Sequence, residues 1–329
     1  MFQPLPHIGK RRALLSAAAA FVSFGLLLWW LLPLDDDSPS GRVTFSTGVK
    51  SGVYQKYGWL LKDALARDLP DLHVTLRKSE GSQENLKRVA TGEADFTIAT
   101  ADAVQAYQQA KKPGYGRLRG CARLYDDYVQ LVVPRDSDVR SVKDLKNKRV
   151  AVGQDESGVR LIANQVLKAA GLDPERDIEP RDIGINDMPT ALKRGEIDAF
   201  FWSGGLPTTS LEELSESSKV RFVELGYLVD DLHKLSSASR YYRASVMPAE
   251  TYTHQDTPVS TLAVANLLVT TDRTDPELTE GLTRTVIENR DDIGSKVHAA
   301  QLVDLQTALY THPLALHEGA LRYYRSVKP

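Results

Sequence analysis

Val43-Thr-Phe-Ser-Thr-Gly-Val-Lys-Ser-Gly-Val-Tyr-Gln-Lys-Tyr-Gly58 is the stretch on which the reading of this chain turns. Apolar Val43 and Phe45 alternate with Thr44 and Ser46, the period of a strand with two different faces. Gly48 and Gly52 flank a loop rich in hydroxyls. Ser51 is placed to cap a helix whose inner face carries Tyr57, Leu60, Leu61, Ala64 and Leu65. A strand, a glycine-bearing turn and a helix start, in that order, present free backbone N–H groups and the positive end of a helix dipole. Such a turn suits a small anion, a carboxylate for example. Read alone, it is equally a plain strand-to-helix turn that needs glycine.

On the N-terminal side, residues Ala13 to Leu32 are apolar except for Ser16 and Ser23. About 20 such residues in a helix span the roughly 30 Å of a bilayer core. Trp29 and Trp30 stand near one end, where an interfacial belt places aromatics. Lys10, Arg11 and Arg12 precede the run and are the only charges before Asp35, Asp36 and Asp37 follow it. The positive-inside rule puts the N-terminus in the cytoplasm and everything after Leu34 outside. A cleaved signal peptide has an apolar core of about 7–15 residues and ends at a small-residue site. This run is longer and ends Trp-Trp-Leu-Leu-Pro-Leu, so an uncleaved signal anchor is expected. The expected parts are a cytoplasmic segment 1–12, a membrane span 13–34, a polar linker 35–41 and an extracytoplasmic body.

The chain has 329 residues, 42% of them hydrophobic, enough for one large domain or two ordinary ones. Apart from the basic cluster before the span, it is mildly acidic. No basic stripe with interleaved aromatics occurs, which excludes nucleic acid as a partner. Cys121 is the only cysteine, so an internal disulfide and a cysteine-built zinc site are excluded by count.

Downstream, strand and helix patterns alternate. Leu72–Leu76 is a strand, Ser82 opens a helix that stops near Gly92, Phe96–Ala99 is a strand and Ala101–Ala110 a helix. Arg119–Tyr125 and Val129–Val133 read as two strands. A second block follows with strands at Arg149–Val152, Ile178–Ile183, Ala199–Trp202 and Val220–Glu224, and helices at Gly158–Ala170 and Asp187–Arg194. The blocks echo each other. Leu86-Lys-Arg-Val-Ala-Thr-Gly-Glu-Ala-Asp-Phe96 is matched by Ala191-Leu-Lys-Arg-Gly-Glu-Ile-Asp-Ala-Phe200, a helix end, a glycine stop and a buried strand in each. Leu262–Val269 is a very apolar segment, and helices are expected at Pro276–Asn289, Lys296–Leu305 and Leu314–Val327. Alternation of this kind predicts an α/β fold of parallel strands with helices on both faces. It predicts two lobes, 42–132 with 262–329 and 133–261, the chain crossing near Val132-Val133 and near Leu262–Asn266.

The chain resembles the TAXI group of TRAP-transporter solute-binding proteins (TRAP-associated extracytoplasmic immunogenic proteins), from about Val43 to its C-terminus. The markers are Ser46-Thr-Gly with Ser51-Gly-Val-Tyr54, Gly81-Ser-Gln-Glu-Asn-Leu86, Thr91-Gly-Glu-Ala-Asp95, Val142-Lys-Asp-Leu145 with Arg149-Val-Ala-Val-Gly153, Glu156-Ser-Gly158, Leu192 to Ala199, Gly205-Leu-Pro207 and His312 to Tyr324. The resemblance implies a type II periplasmic-binding-protein fold with a hinge and an interlobe cleft. It also implies capture of small organic acids, glutamate-like or other carboxylates, for uptake through a TRAP-type permease. A sensor kinase that reads the same closed state is the alternative partner.

In doubly wound sheets ligands sit at loop-to-helix turns beyond the strand ends. The turns here supply Thr47, Gly48, Ser51 and Tyr54; Ser82 and Asn85; Ser157, Gly158, Val159 and Arg160; and Ser203, Gly204, Gly205 and Pro207. Thr100 and Asp102 stand at the corresponding height after another strand. Several have a second reading. Ser82 and Asp102 can be helix caps, Tyr54 can cover its turn, Arg160 can be a surface residue, and Trp202 ends an apolar strand as core. Two positions depart from the family pattern: Val159 stands where a threonine is common, and Thr100 where glutamine is common. Both fall where the ligand belongs, so the ligand is not carried over.

Nothing in the sequence calls for a cofactor, a metal or catalysis. There is no nucleophile elbow, no His-Glu-x-x-His and no phosphate-binding lysine loop. The Asp126-Asp127 pair, on a strand, points to opposite faces and does not make an acid–base pair.

Overall fold

The computed structural model describes residues 21–24 and 39–327. Phe21–Phe24 are helical, and the rest of the expected span 13–34 lies outside the described residues, as do the segment 1–12 and most of the linker. No helix among the described residues is long and apolar enough to cross a membrane. From Pro39 onward the chain is one compact unit.

The opening stretch folds as its pattern requires. Strand β1 (Gly41–Ser46) buries Val43 and Phe45, and helix α1 (Val53–Asp68) buries Tyr57, Leu61, Ala64 and Leu65. Each large side chain so buried contributes about 1.5–3 kcal/mol. One detail differs from the sequence reading. Gly52, not Ser51, is the N-cap of α1, and no side chain caps it, because Ser51 Oγ donates instead to Asn186 Oδ1 at 2.6 Å.

The chain continues through β2 (Leu72–Arg77), α2 (Ser82–Thr91), β3 (Phe96–Thr100), α3 (Ala101–Gln109) and β4 (Leu118–Pro134). Next come β5 (Arg149–Ala151), α4 (Gly158–Ala169), β6 (Glu179–Arg181), α5 (Met188–Lys193), β7 (Ala199–Gly204), α6 (Thr209–Ser217), β8 (Val220–Val223) and α7 (Val229–Leu235). Strands β9 (Arg243–Met247) and β10 (Val259–Thr271) precede α8 (Pro276–Glu288), α9 (Arg290–Lys296), α10 (Leu305–Ala308) and α11 (Glu318–Val327).

All strands join one 10-stranded sheet in the order β2-β1-β3-β10-β4-β7-β5-β6, with β8 on β4 and β9 on β10. The expected all-parallel sheet is corrected. The outer pairs β1–β2, β1–β3, β5–β6 and β5–β7 are parallel, while β4 and β10 run antiparallel to their neighbours. The two strands expected over 119–133 are one strand of 17 residues. Asp126 and Asp127 lie inside it, and Asp126 is held by Arg123 and Arg243. The opposing register slips between Ala265 and Leu267.

Two further differences have local causes. The strand expected over Ile178–Ile183 shrinks to three residues at the sheet edge, centred on Pro180, which has no N–H to give a second neighbour. The helix expected over Lys296–Leu305 is interrupted by extended backbone at Val297 and becomes a short turn between α9 and α10.

The hydrophobic core divides along the two long strands. One cluster runs from Val129 to Val264 and holds Phe200, Phe201 and Ile162. The others hold Val43, Phe45 and Tyr125 with the C-terminal Tyr323 and Tyr324, and Val89, Val104 and Leu267. The division falls at Tyr125–Val129 on β4 and Val264–Leu267 on β10. Only polar Asp126, Asp127 and Asn266 occupy those gaps besides Tyr128 and Ala265. The tail returns to the first half, where Tyr324 donates its hydroxyl proton to the Cys121 carbonyl at 3.0 Å.

Candidate ligand-binding site

Three helices begin at one cavity. Helix α1 starts at Gly52-Val53-Tyr54, α2 at Gly81-Ser82 and α4 at Ser157-Gly158-Val159, and all of these residues line a space of about 60 Å³. The first N–H groups of a helix have no partner within it, so each start directs donors and partial positive charge at the cavity. The first two helices belong to one half of the core and α4 to the other, so the cavity lies between the halves.

Glycine permits the closeness. Gly81 has φ +136, a conformation that side chains rarely adopt. A Cβ there would lie 3.2 Å from Gly158 N, and one on Gly158 would lie 3.1 Å from Ser82 Oγ. Around this contact the halves are bonded directly. Glu84 N donates to Glu156 O at 3.0 Å, Gln83 Nε2 to Ser157 O at 2.8 Å, and Lys87 Nζ pairs with Glu156 Oε1 at 3.0 Å.

The structure brings together Gly48, Tyr54, Ser82, Thr100, Ser157, Gly158, Val159, Ser203 and Gly204 on the cavity wall. Tyr54 is buried. Its hydroxyl donates to Asn266 Oδ1 at 2.5 Å and lies 3.0 Å from Ser82 Oγ. Burial, then the nearby Asp127 charge, holds the Tyr54 phenol well above its ordinary range. Ser82 Oγ also accepts from Thr100 N at 3.2 Å, and Gly81 rather than Ser82 is the N-cap of α2. Ser157 is the N-cap of α4, its Oγ accepting from Arg160 N at 3.0 Å.

Other expected residues are placed elsewhere. Thr47 Oγ1 donates to Gln55 Oε1 at 2.5 Å, and Asn85 Nδ2 donates to the Thr47 and Ile98 carbonyls, so both brace the turns from behind. Asp102 is buried and accepts from Tyr242 Oη at 2.7 Å; burial raises its pKa. Arg160 is turned to Asp155 and Asp182, which already supply its counter-charge. Ser51, Gly205 and Pro207 line a wider groove of about 630 Å³, which shares Gly52 and Val53 with the cavity and carries Lys50, Lys56, Lys78, Lys296 and His298.

Among the wall residues outside the expected set, two bear most on the chemistry. Trp202, read as core, lines the cavity and anchors its indole N–H on Thr208 Oγ1 at 3.0 Å. Asp127 also lines it, 4% exposed, with Oδ1 lacking any hydrogen-bond partner. Burial pushes its carboxyl up to about 7; the Asn266 amide, near but outside hydrogen-bond geometry, pulls the other way, and the charges of Asp126 and Asp102 add to the rise. The signal was in the sequence, since a charged pair inside an apolar strand needs a reason. Ser203 Oγ is likewise buried and unpartnered.

The NMT1-like family matches residues 45–327, nearly all of the body. The chain belongs to this family. Among solved structures, this NMT1-like chain is similar to a protein from Bordetella bronchiseptica RB50, with TM-score 0.52, 17% identity and coverage of 88% of this chain and 90% of that one. It is similar to a Xanthomonas citri protein bound to ATP, with TM-score 0.51, 13% identity and coverage of 88% and 100%. The periplasmic aliphatic sulphonate binding protein SsuA from Escherichia coli follows at TM-score 0.48, 15% identity and coverage of 89% and 84%. At these identities the likeness concerns fold: the NMT1-like body has an α/β periplasmic-binding-protein-like fold with a curled sheet.

Proposed function

We propose that this chain is a membrane-tethered extracytoplasmic solute receptor that closes on a small organic acid and hands it to a TRAP-type permease. The observation that carries this is the convergence of three helix N-termini, from both halves, on one cavity. That arrangement binds a carboxylate through backbone N–H groups and helix dipoles. The lysine-bearing groove that adjoins the cavity draws anions toward it. Strands β4 and β10, which alone pass through both core regions, serve as the hinge, so that ligand binding favours the closed state. The markers shared with the TAXI group and the apolar run 13–34 support the TRAP assignment and the tether. Capture rather than catalysis fits a wall on which, among the described residues, no serine is hydrogen-bonded to a carboxylate or histidine.

Binding only the folded state raises apparent stability. A thermal-shift screen of the full chain against amino acids, dicarboxylates and keto acids is expected to give at least one acid that raises the melting temperature in a dose-dependent way. A screen in which no small acid does so overturns the reading.

A further inference from the structure

The wall of the cavity has a feature that a simple carboxylate does not satisfy. Asp127, Ser203 and Asn266 stand on three neighbouring strands, β4, β7 and β10. In register, Val129 lies opposite Ser203 and Val264 opposite Asp127. Asp127 is therefore a diagonal neighbour of Ser203 on one face of the sheet, since alternate residues share a face. Asp127 Oδ1, Ser203 Oγ and Asn266 Nδ2 are all buried and all lack a partner. Buried polar atoms are rarely left unpaired without a reason.

No lysine, arginine or histidine lines this cavity among the described residues. The other acidic wall residue, Glu80, carries the same sign. The nearby cations Arg123 and Arg243 are engaged with Asp126, the neighbour on the opposite face of β4. A ligand with negative charge alone would set an anion against Asp127 with no counter-charge, which like-charge repulsion opposes. The helix starts at Val53, Ser82 and Gly158 favour an anion at the other side of the same space. Ile162, Ile185, Met188 and Trp202 supply apolar wall between.

We propose that Asp127 takes a protonated amine of the ligand, so that the acid held in this cleft is a small zwitterion with its carboxylate toward the helix starts. The inference rests on the receptor reading above and narrows it. The ammonium donates to the free Asp127 oxygen and to Ser203 Oγ, and the carboxylate accepts from backbone N–H groups.

The charge balance gives the binding a direction with pH. The charged and titratable groups around Asp127 are Asp126 on the opposite face of its own strand, Tyr125 and Tyr54, Asp102 on α3 and Glu80 on the cavity wall, with the Asn266 amide on β10. In the empty site Asp127 holds its proton up to about pH 7. An ammonium displaces that proton, so affinity for a zwitterion rises between about pH 5.5 and 8. A deaminated acid needs the proton to stay, so its affinity falls over the same range.

The test is calorimetric titration of the full chain with matched pairs: L-alanine and propionate, L-valine and isovalerate, L-glutamate and glutarate, with isobutylamine as an amine without a carboxylate. The expected result is one amino acid binding roughly tenfold or more tighter than its deaminated partner, the usual worth of a charge-assisted hydrogen bond. Asp127→Asn removes that preference, and the wild-type affinity rises with pH. Deaminated acids that bind as tightly, or whose affinity rises with pH, overturn the inference and leave the receptor reading standing; so does a preference that survives Asp127→Asn. If that variant does not fold, Ser203→Ala and the wild-type pH slope decide. Isobutylamine binding alone supports the Asp127 contact and overturns the acid reading. No binding by any of them overturns both.

Discussion

Asp126 and Asp127 are adjacent in the chain and live in opposite electrostatic worlds. Asp126 accepts from Arg123 at 2.7 Å and from Arg243, while Asp127 faces the cavity with one oxygen unpaired. The pleat of β4 puts them on opposite faces. One aspartate therefore serves the sheet and the other the cleft.

Their substitutions should separate along that line. Asp126→Ala strands two guanidinium groups and is expected to lower stability by about 2–3 kcal/mol, with ligand affinity changed much less. Denaturant unfolding and calorimetric titration read the two effects. An Asp126 variant of unchanged stability removes the ion-pair argument.

The ligand-free protein should lose stability as pH rises. Asp127 has a folded pKa of about 7, above its ordinary value of 3.8, so between about pH 4 and 7 the folded state holds the extra proton. Its contribution is full below about pH 4 and is lost as pH climbs through 7, by up to roughly 4 kcal/mol. Asp127→Asn has no such loss. Its melting temperature relative to wild type should rise steadily from pH 4.5 to about 8. A gap that is flat with pH contradicts the raised pKa.

If the receptor closes as proposed, closure depends on the bare backbone at Gly158. Its first-turn position tolerates a side chain, but a Cβ would sit 3.1 Å from Ser82 Oγ in the other half. Gly158→Val should keep the fold and hold the halves apart. The expected result is ligand affinity lower by roughly tenfold or more, and a small-angle scattering radius that no longer contracts with ligand. Wild-type affinity in this variant would show that the contact is not needed for closure.

Tyr54 ties α1 to β10 and α2 through one hydroxyl. Tyr54→Phe leaves buried Asn266 Oδ1 without its donor and is expected to cost about 1–3 kcal/mol. Arg160→Ala, by contrast, removes a side chain committed to Asp155 and Asp182, and should alter ligand affinity less than about twofold. Unfolding midpoints and titrations of the two variants check both.

Cys121 should resist thiol reagents while the protein is folded. It is fully buried on β4, and burial drives its thiol pKa upward, leaving almost no thiolate to react. Labelling should follow unfolding in denaturant. Fast labelling of the native chain contradicts the burial.

Local pattern carried much of this. Alternating Val43 and Phe45, the glycines at the starts of α1, α2 and α4 and the apolar stripe of α1 are consequences of neighbours in sequence, and the turns they mark do line the cavity. Arg160's helix position leaves its direction open, and only the fold brings Asp182 to it. Trp202 read as core because an apolar strand end looks the same whether a helix or a cavity covers it. That Asp127 rather than Asp126 faces the cavity follows from strands distant in the chain, which the residues around the pair do not show.

By itself the sequence determined the α/β elements, the glycine turns and the echo between two blocks, since each depends on periodicity and turn chemistry within a few residues. The tertiary structure decided that β4 and β10 run antiparallel through the whole sheet, that Gly81 meets Gly158, and which aspartate faces the cleft. Those are contacts between residues far apart in the chain. The physical reason is register: one residue of slip along β4 exchanges Asp126 for Asp127, and only the strands on either side fix it.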